Sequence, residues 1–177
     1  MGASLSKLEI PPWAGERIVK FMEKPEGFLV FHGCPGIGKT YFCASLVEWI
    51  MTHYNTYRAW REEDLLRRLR QIIQDDGGDY ALALEYLIDD EFIILDDVGS
   101  SIDPKKDNKK SFEWREEILF NFVDYRYRHQ KPTVITSNFS TKDFKKLFAD
   151  RITSRLFASE NTQVEIFDAP DKRSLGM

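Results

Sequence analysis

Residues 28–40 read Phe28-Leu29-Val30-Phe31-His32-Gly33-Cys34-Pro35-Gly36-Ile37-Gly38-Lys39-Thr40. The four opening residues are apolar, the pattern of a strand buried on both faces of a parallel sheet. From Gly33 to Thr40 the chain fits G-x-x-x-x-G-K-[ST] at every fixed position. Gly33, Gly36 and Gly38 carry no Cβ, so successive N–H groups can turn inward on phosphate oxygens. Lys39 brings a positive charge to β- and γ-phosphates, and the Thr40 hydroxyl suits Mg²⁺. A helix starting near Lys39 turns its positive end on the same anion. The candidate nucleotide-binding residues are therefore Gly33, Cys34, Pro35, Gly36, Ile37, Gly38, Lys39, Thr40 and Tyr41.

Two further apolar runs lie downstream. Phe92-Ile93-Ile94-Leu95 ends in Asp96-Asp97, and Thr133-Val134-Ile135-Thr136 ends in Ser137-Asn138. Helical spacing of apolar residues fills the intervals. It predicts helices over Trp13–Met22, Tyr41–His53, Glu62–Gln74, Tyr80–Ile88, Trp114–Arg128, Thr141–Phe148 (with a Thr cap) and Arg151–Phe157. Thr56–Trp60 reads as a weakly patterned strand and Gln163–Phe167 as an alternating one. Gly99–Asn108 is polar and loop-like. Strands alternating with helices mean an α/β fold with a parallel sheet and its ligand at the carboxyl ends of the strands.

At 177 residues the chain suits one domain with a continuous core, and 42% hydrophobic with 31% charged residues is ordinary for a globular protein. No apolar run approaches the length of a membrane span. Met1–Ser6 fits the loose myristoylation pattern, which is short and common. Two cysteines, Cys34 and Cys43, make no disulfide framework, and the expectation is a cytoplasmic protein. A net charge of −4 argues against nucleic-acid binding through overall charge. Local clusters remain: Arg58, Arg61, Arg67, Arg68 and Arg70 in one segment, and Lys105, Lys106, Lys109 and Lys110 in another. Each is equally well a solvated helix face or loop.

Chemistry converges on a few side chains. An aspartate at the end of the second apolar strand, Asp96, can hold Mg²⁺ opposite Thr40, and Asp97 is placed to orient or polarise an attacking water. Asn138 can hydrogen-bond that water or the γ-phosphate, although an Asn after a strand is also a common turn residue. Arg155, between Ile152 and Leu156 at helical spacing, faces outward, either as a solvated residue or as an arginine finger for a neighbouring copy.

Taken together, GCPGIGKT, FIILDDVG, RYRHQKPTVITSN and DRITSRL, in that order, resemble the AAA+ ATPases of the bacterial helicase-loader and transposition-helper (DnaC/IstB-like) type. The resemblance runs from about Trp13 onward. It implies a P-loop three-layer fold with a five-stranded parallel sheet of order 5-1-4-3-2 and no separate helical lid. The third apolar strand would then sit between the phosphate-loop strand and the Asp96 strand. Ile10-Pro11-Pro12 reads as an extended entry, so the domain expectation is an extended segment over 1–12, an ATPase core over 13–170 and a tail over 171–177. The resemblance also implies ATP and Mg²⁺ as cofactors and ATP hydrolysis by an oligomer in DNA replication. Lys39 and Thr40 match Walker A, Asp96 and Asp97 Walker B, Asn138 sensor 1, and Arg155 the arginine finger, with Arg151 second. The segment from Arg58 to Gln74, with Arg61, Arg67, Arg68 and Arg70, resembles the family's element for single-stranded DNA. A replicative helicase or a transposase-type protein is the implied protein partner. Walker B usually ends Asp-Glu in this family; Asp-Asp here shortens the reach to water. Two other readings compete: an ATP-gated adaptor of a transposition or mobile-element complex with little hydrolysis, and a small P-loop nucleotide kinase.

Overall fold

The computed structural model describes residues 11–76, 79–102 and 108–167. Residues 1–10, Gly77, Gly78, Lys105, Lys106 and the 171–177 tail lie outside the described residues. The element order is α1 (Pro12–Glu23), β1 (Phe28–Gly33), α2 (Lys39–His53), β2 (Tyr57–Arg61), α3 (Glu62–Asp76), α4 (Tyr80–Ile88), β3 (Phe92–Val98), α5 (Lys109–Arg128), β4 (Thr133–Ser137), α6 (Thr141–Leu147), α7 (Asp150–Leu156) and β5 (Thr162–Ile166). The strands form one parallel sheet of order β2-β3-β4-β1-β5, the expected order read from the other edge. Among the described residues no helix follows β5, and no helix is long and apolar enough to cross a membrane.

Alternation along buried strands builds a layer on each face. Phe28 and Val30 of β1, Ile93 and Leu95 of β3 and Ile135 of β4 pack with the apolar sides of α3 to α7. Leu29 and Phe31, Phe92 and Ile94, and Val134 face the other way, onto α1 and α2. Both faces being covered explains the unbroken apolar runs of the central strands. The weak pattern of β2 follows from its place at the sheet edge, where it is half exposed.

Three expectations are corrected. α5 starts at Lys109 rather than Trp114, because Asn108 caps it by accepting the Ser111 N–H at 2.9 Å, so Lys109 and Lys110 belong to the helix. α6 is capped by Ser140, whose Oγ accepts the Asp143 N–H at 3.1 Å; Thr141 is the first helical residue and its hydroxyl donates to Glu165. α1 takes in Pro12, which tolerates the first turn because it has no N–H to satisfy.

One polar side chain inside this frame was given no role by the sequence. Arg126 of α5 is fully buried, donating to Thr133 Oγ1 (2.8 Å) and to the carbonyls of Ile88 (3.0 Å), Asp90 (2.5 Å), Glu91 (3.4 Å) and Pro132 (2.7 Å). Burial lowers its pKa to about 9, which still leaves a charged guanidinium at neutral pH. It thereby ties α5 to the α4–β3 turn and to the start of β4. Arg126→Met, apolar and of similar length, orphans these acceptors and is expected to lower unfolding free energy by at least about 3 kcal/mol in urea denaturation.

Candidate active site

β1 delivers the chain to Gly33, and the close approach there demands glycine. A Cβ at Gly33 would lie 2.6 Å from the Ile166 carbonyl oxygen and 2.1 Å from Ile37 Cδ1. The loop then turns through Gly36 (φ 87°) and Gly38 (φ 99°), conformations that glycine adopts without steric cost. α2 begins at Lys39 with Gly38 as its N-cap, so its free N–H groups face the loop. Lys39 is buried, and its Nζ donates to the carbonyls of Gly33 (2.8 Å) and Cys34 (2.9 Å). Cys34 braces the loop against β5, its N–H reaching the Ile166 carbonyl and its thiol the Phe167 carbonyl. Ile37 plugs the core beneath. Gly33, Cys34 and Ile37 thus support the loop, while Pro35, Gly36, Gly38, Lys39, Thr40 and Tyr41 line a cleft of about 380 Å³ with Arg61, Asp97 and Asn138.

The acidic pair sits where β3 breaks register with β4. Leu95 pairs with Ile135 and Val98 with Ser137, so Asp96 and Asp97 together oppose the single residue Thr136. Asp97 takes a left-handed conformation (φ 66°) at this bulge. Asp96 is buried, and its Oδ2 accepts the Thr40 hydroxyl at 2.9 Å. Asp97 turns into the cleft, with Oδ1 accepting from Asn138 Nδ2 at 2.7 Å and Oδ2 from Arg61 at 3.2 Å. A hydroxyl and a carboxylate oxygen converging beside the phosphate loop are hard ligands of the kind Mg²⁺ takes, with substrate phosphates and water filling its remaining positions. Among the described residues no cluster of three or more His, Cys, Asp or Glu could hold a metal ion.

The arginines disperse. Arg61, at the carboxyl end of β2, belongs to the cleft rather than to an outer patch. Arg67 pairs with Asp64 at 2.5 Å along α3, Arg70 lies 4.2 Å from the Trp114 ring of α5, and Arg68 is exposed. Arg155 and Arg151, both on α7, lie outside the cleft and share the Phe120 ring at 5.2 and 4.5 Å. Each also meets an acid of α5, Arg155 with Asp124 at 2.8 Å and Arg151 with Glu116 at 3.9 Å.

Three side chains that the sequence reading passed over support this machinery. Thr136 bonds to both aspartates. Glu62, buried at the start of α3, accepts the Gly99 N–H at 2.9 Å just beyond Asp97, and burial raises its carboxyl pKa. His32 is fully buried with Nδ1 2.8 Å from the Phe139 carbonyl, so Nδ1 carries the proton and holds the residue after Asn138. Burial lowers the His32 pKa, against the raising effects of that bond and of Glu165. The unfolded chain therefore binds this proton more readily, and stability from His32 is lost as pH falls below the ordinary histidine value of about 6.5. Glu62, with its raised pKa, acts in the opposite sense. In His32→Asn the amide still reaches the Phe139 carbonyl, and the denaturation midpoint is expected to fall less between pH 7 and pH 5.5 than in the wild type.

The profile of the family described as IstB-like ATP binding protein matches residues 16–158. The ATP-binding protein of insertion sequence IS5376 from Geobacillus stearothermophilus is 29% identical over 136 residues, covering 76% of this chain and 49% of that protein. The replicative helicase loader DnaC of Escherichia coli K12 is 20% identical over 127 residues, covering 72% of this chain and 49% of the loader. This chain therefore spans about half the length of each. A crystal structure of the DnaC helicase loader superposes with a TM-score of 0.69 at 25% identity, covering 92% of this chain and 97% of that one.

Proposed function

The chain belongs to the IstB-like ATP-binding protein family, and from that premise we propose that it binds and hydrolyses ATP with Mg²⁺ as an oligomer working with single-stranded DNA. The observation that carries this reading is the meeting of Thr40 and Asp96 at 2.9 Å beside Lys39, with Asp97 and Asn138 bonded to each other across the same cleft. Lys39 and the loop amides hold the phosphates. Thr40 and Asp96 are the residues that would hold Mg²⁺, which when bound neutralises charge developing on the phosphate oxygens. Asp97 and Asn138 orient the attacking water, and Arg155 reaches a neighbouring copy's nucleotide. Relatives that include a replicative helicase loader and an insertion-sequence protein support a helicase or transposase-type partner, in replication or in a mobile element, within the cytoplasm.

A specific observation favours a second reading, the ATP-gated adaptor with little turnover. Asp97 has a short side chain, and both its oxygens are engaged, by Asn138 and by Arg61.

ATP turnover measured across protein concentrations, with and without single-stranded DNA, separates the two. Turnover rising with both supports the oligomeric DNA-dependent ATPase. Flat, near-zero turnover with saturable ATP binding supports the adaptor, and absence of ATP binding overturns both. Lys39→Ala is expected to abolish turnover. Arg155→Ala is expected to keep nucleotide affinity and lower turnover by about 10³-fold or more, the scale of an arginine finger; unchanged turnover would remove that role.

A further inference from the structure

We propose that Thr136 is a positioning residue for both acidic side chains of the site, setting which oxygen of Asp96 meets the metal and which way Asp97 points. The assignment rests on the ATP-binding reading above. Thr136 is fully buried on β4, opposite the bulge where two residues of β3 face one of its neighbour. At that bulge the Asp97 N–H takes a side-chain acceptor, Thr136 Oγ1 at 2.9 Å. Having accepted that N–H, the hydroxyl has one proton to give, and it lies 2.5 Å from Asp96 Oδ1.

Two consequences follow from one oxygen atom. On Asp96, Oδ1 is taken up by the threonine, a charge-assisted bond of the stronger kind. Oδ2 is then the oxygen presented to Thr40 and to the space beside the phosphate loop. On Asp97, the bond to the backbone N–H holds a non-glycine residue at φ 66°, a conformation that costs energy unless its surroundings fix it. That backbone turn aims the carboxylate at Asn138 and Arg61 instead of leaving it along the strand. The buried thiol of Cys43 also donates to Asp96 Oδ1, at 3.8 Å, but a thiol is a weak donor and leaves the threonine hydroxyl as the stronger partner of that oxygen.

A threonine that merely satisfied its own hydroxyl in the core would affect stability but not the response to metal, so the test reads Mg²⁺. Binding of a fluorescent ATP analogue is titrated with and without Mg²⁺, alongside ATP turnover, for wild type, Thr136→Val and Thr136→Ser. Thr136→Val keeps the shape and loses the hydroxyl. It is expected to bind the analogue as wild type in EDTA, to need about 10-fold more Mg²⁺ for its half-maximal effect, and to lose about 10- to 100-fold in kcat. Thr136→Ser, which keeps the hydroxyl, is expected to restore both. If the valine variant does not fold, Thr136→Ala carries the same expectation, since it removes the same hydroxyl from between Asp97 N–H and Asp96 Oδ1. A wild-type Mg²⁺ midpoint in the valine or alanine variant, or a serine variant as impaired as valine, would overturn the assignment. If wild type itself bound no analogue under either condition, the ATP reading would fail and this role with it. Normal wild-type binding with unaltered variants would sink the role of Thr136 alone.

Discussion

The hydrogen bond from Thr40 to Asp96 is the contact on which the site depends. It joins the first turn of α2 to β3, two elements that the chain brings together only through the strand order of the sheet. β4 lies between β1 and β3, so the phosphate loop and the acidic pair stand on either side of it at the carboxyl ends of their strands. In such sheets the crevice at that edge is where ligands bind. Packing on both faces fixes the strands firmly enough for a hydroxyl and a carboxylate 56 residues apart in sequence to meet at 2.9 Å.

Around that contact the structure places a second ring of buried polar groups, each engaged by backbone. Glu62 holds Gly99 and His32 holds Phe139; at the opposite, amino ends of β3 and β4, Arg126 gathers carbonyls from two turns and the last helical turn of α4. Polar groups at such depth are costly unless partnered, and partnered they fix one arrangement of the loops. Arg61 and Glu62 are neighbours in sequence, one bonded to Asp97 and the other to Gly99. The start of α3 is thereby tied directly to the end of β3 that carries Asp97.

Much of this was legible in the sequence, for physical reasons that differ by residue. The phosphate loop is read locally: glycines, a lysine and a hydroxyl at fixed spacing specify a backbone shape without reference to the rest of the chain. Central strands announce themselves because burial on both faces forces an unbroken apolar run, and Asp96, Asp97 and Asn138 stand out as polar residues ending such runs. Thr136 gave no signal, since a β-branched residue within a strand is what any strand contains; its role exists only because a bulge on β3 puts two aspartates opposite it. Arg126 lies in a stretch whose sequence marks only a helix and the start of a family motif, and its partners are mostly carbonyls, which every residue possesses. Arg61 was grouped with the arginines of α3 by sequence proximity, but it ends a strand while they lie on a helix, and that change of element sends it into the cleft.

The central claim is that this cleft binds ATP through a metal held by Thr40 and Asp96. Isothermal titration of ATP into the wild-type protein and Asp96→Asn, each with Mg²⁺ and with EDTA, tests it most directly. The account predicts one ATP per chain, bound more tightly with Mg²⁺ in the wild type, and loss of that gain in the variant. Absence of saturable binding, or a wild-type affinity indifferent to Mg²⁺, would contradict it.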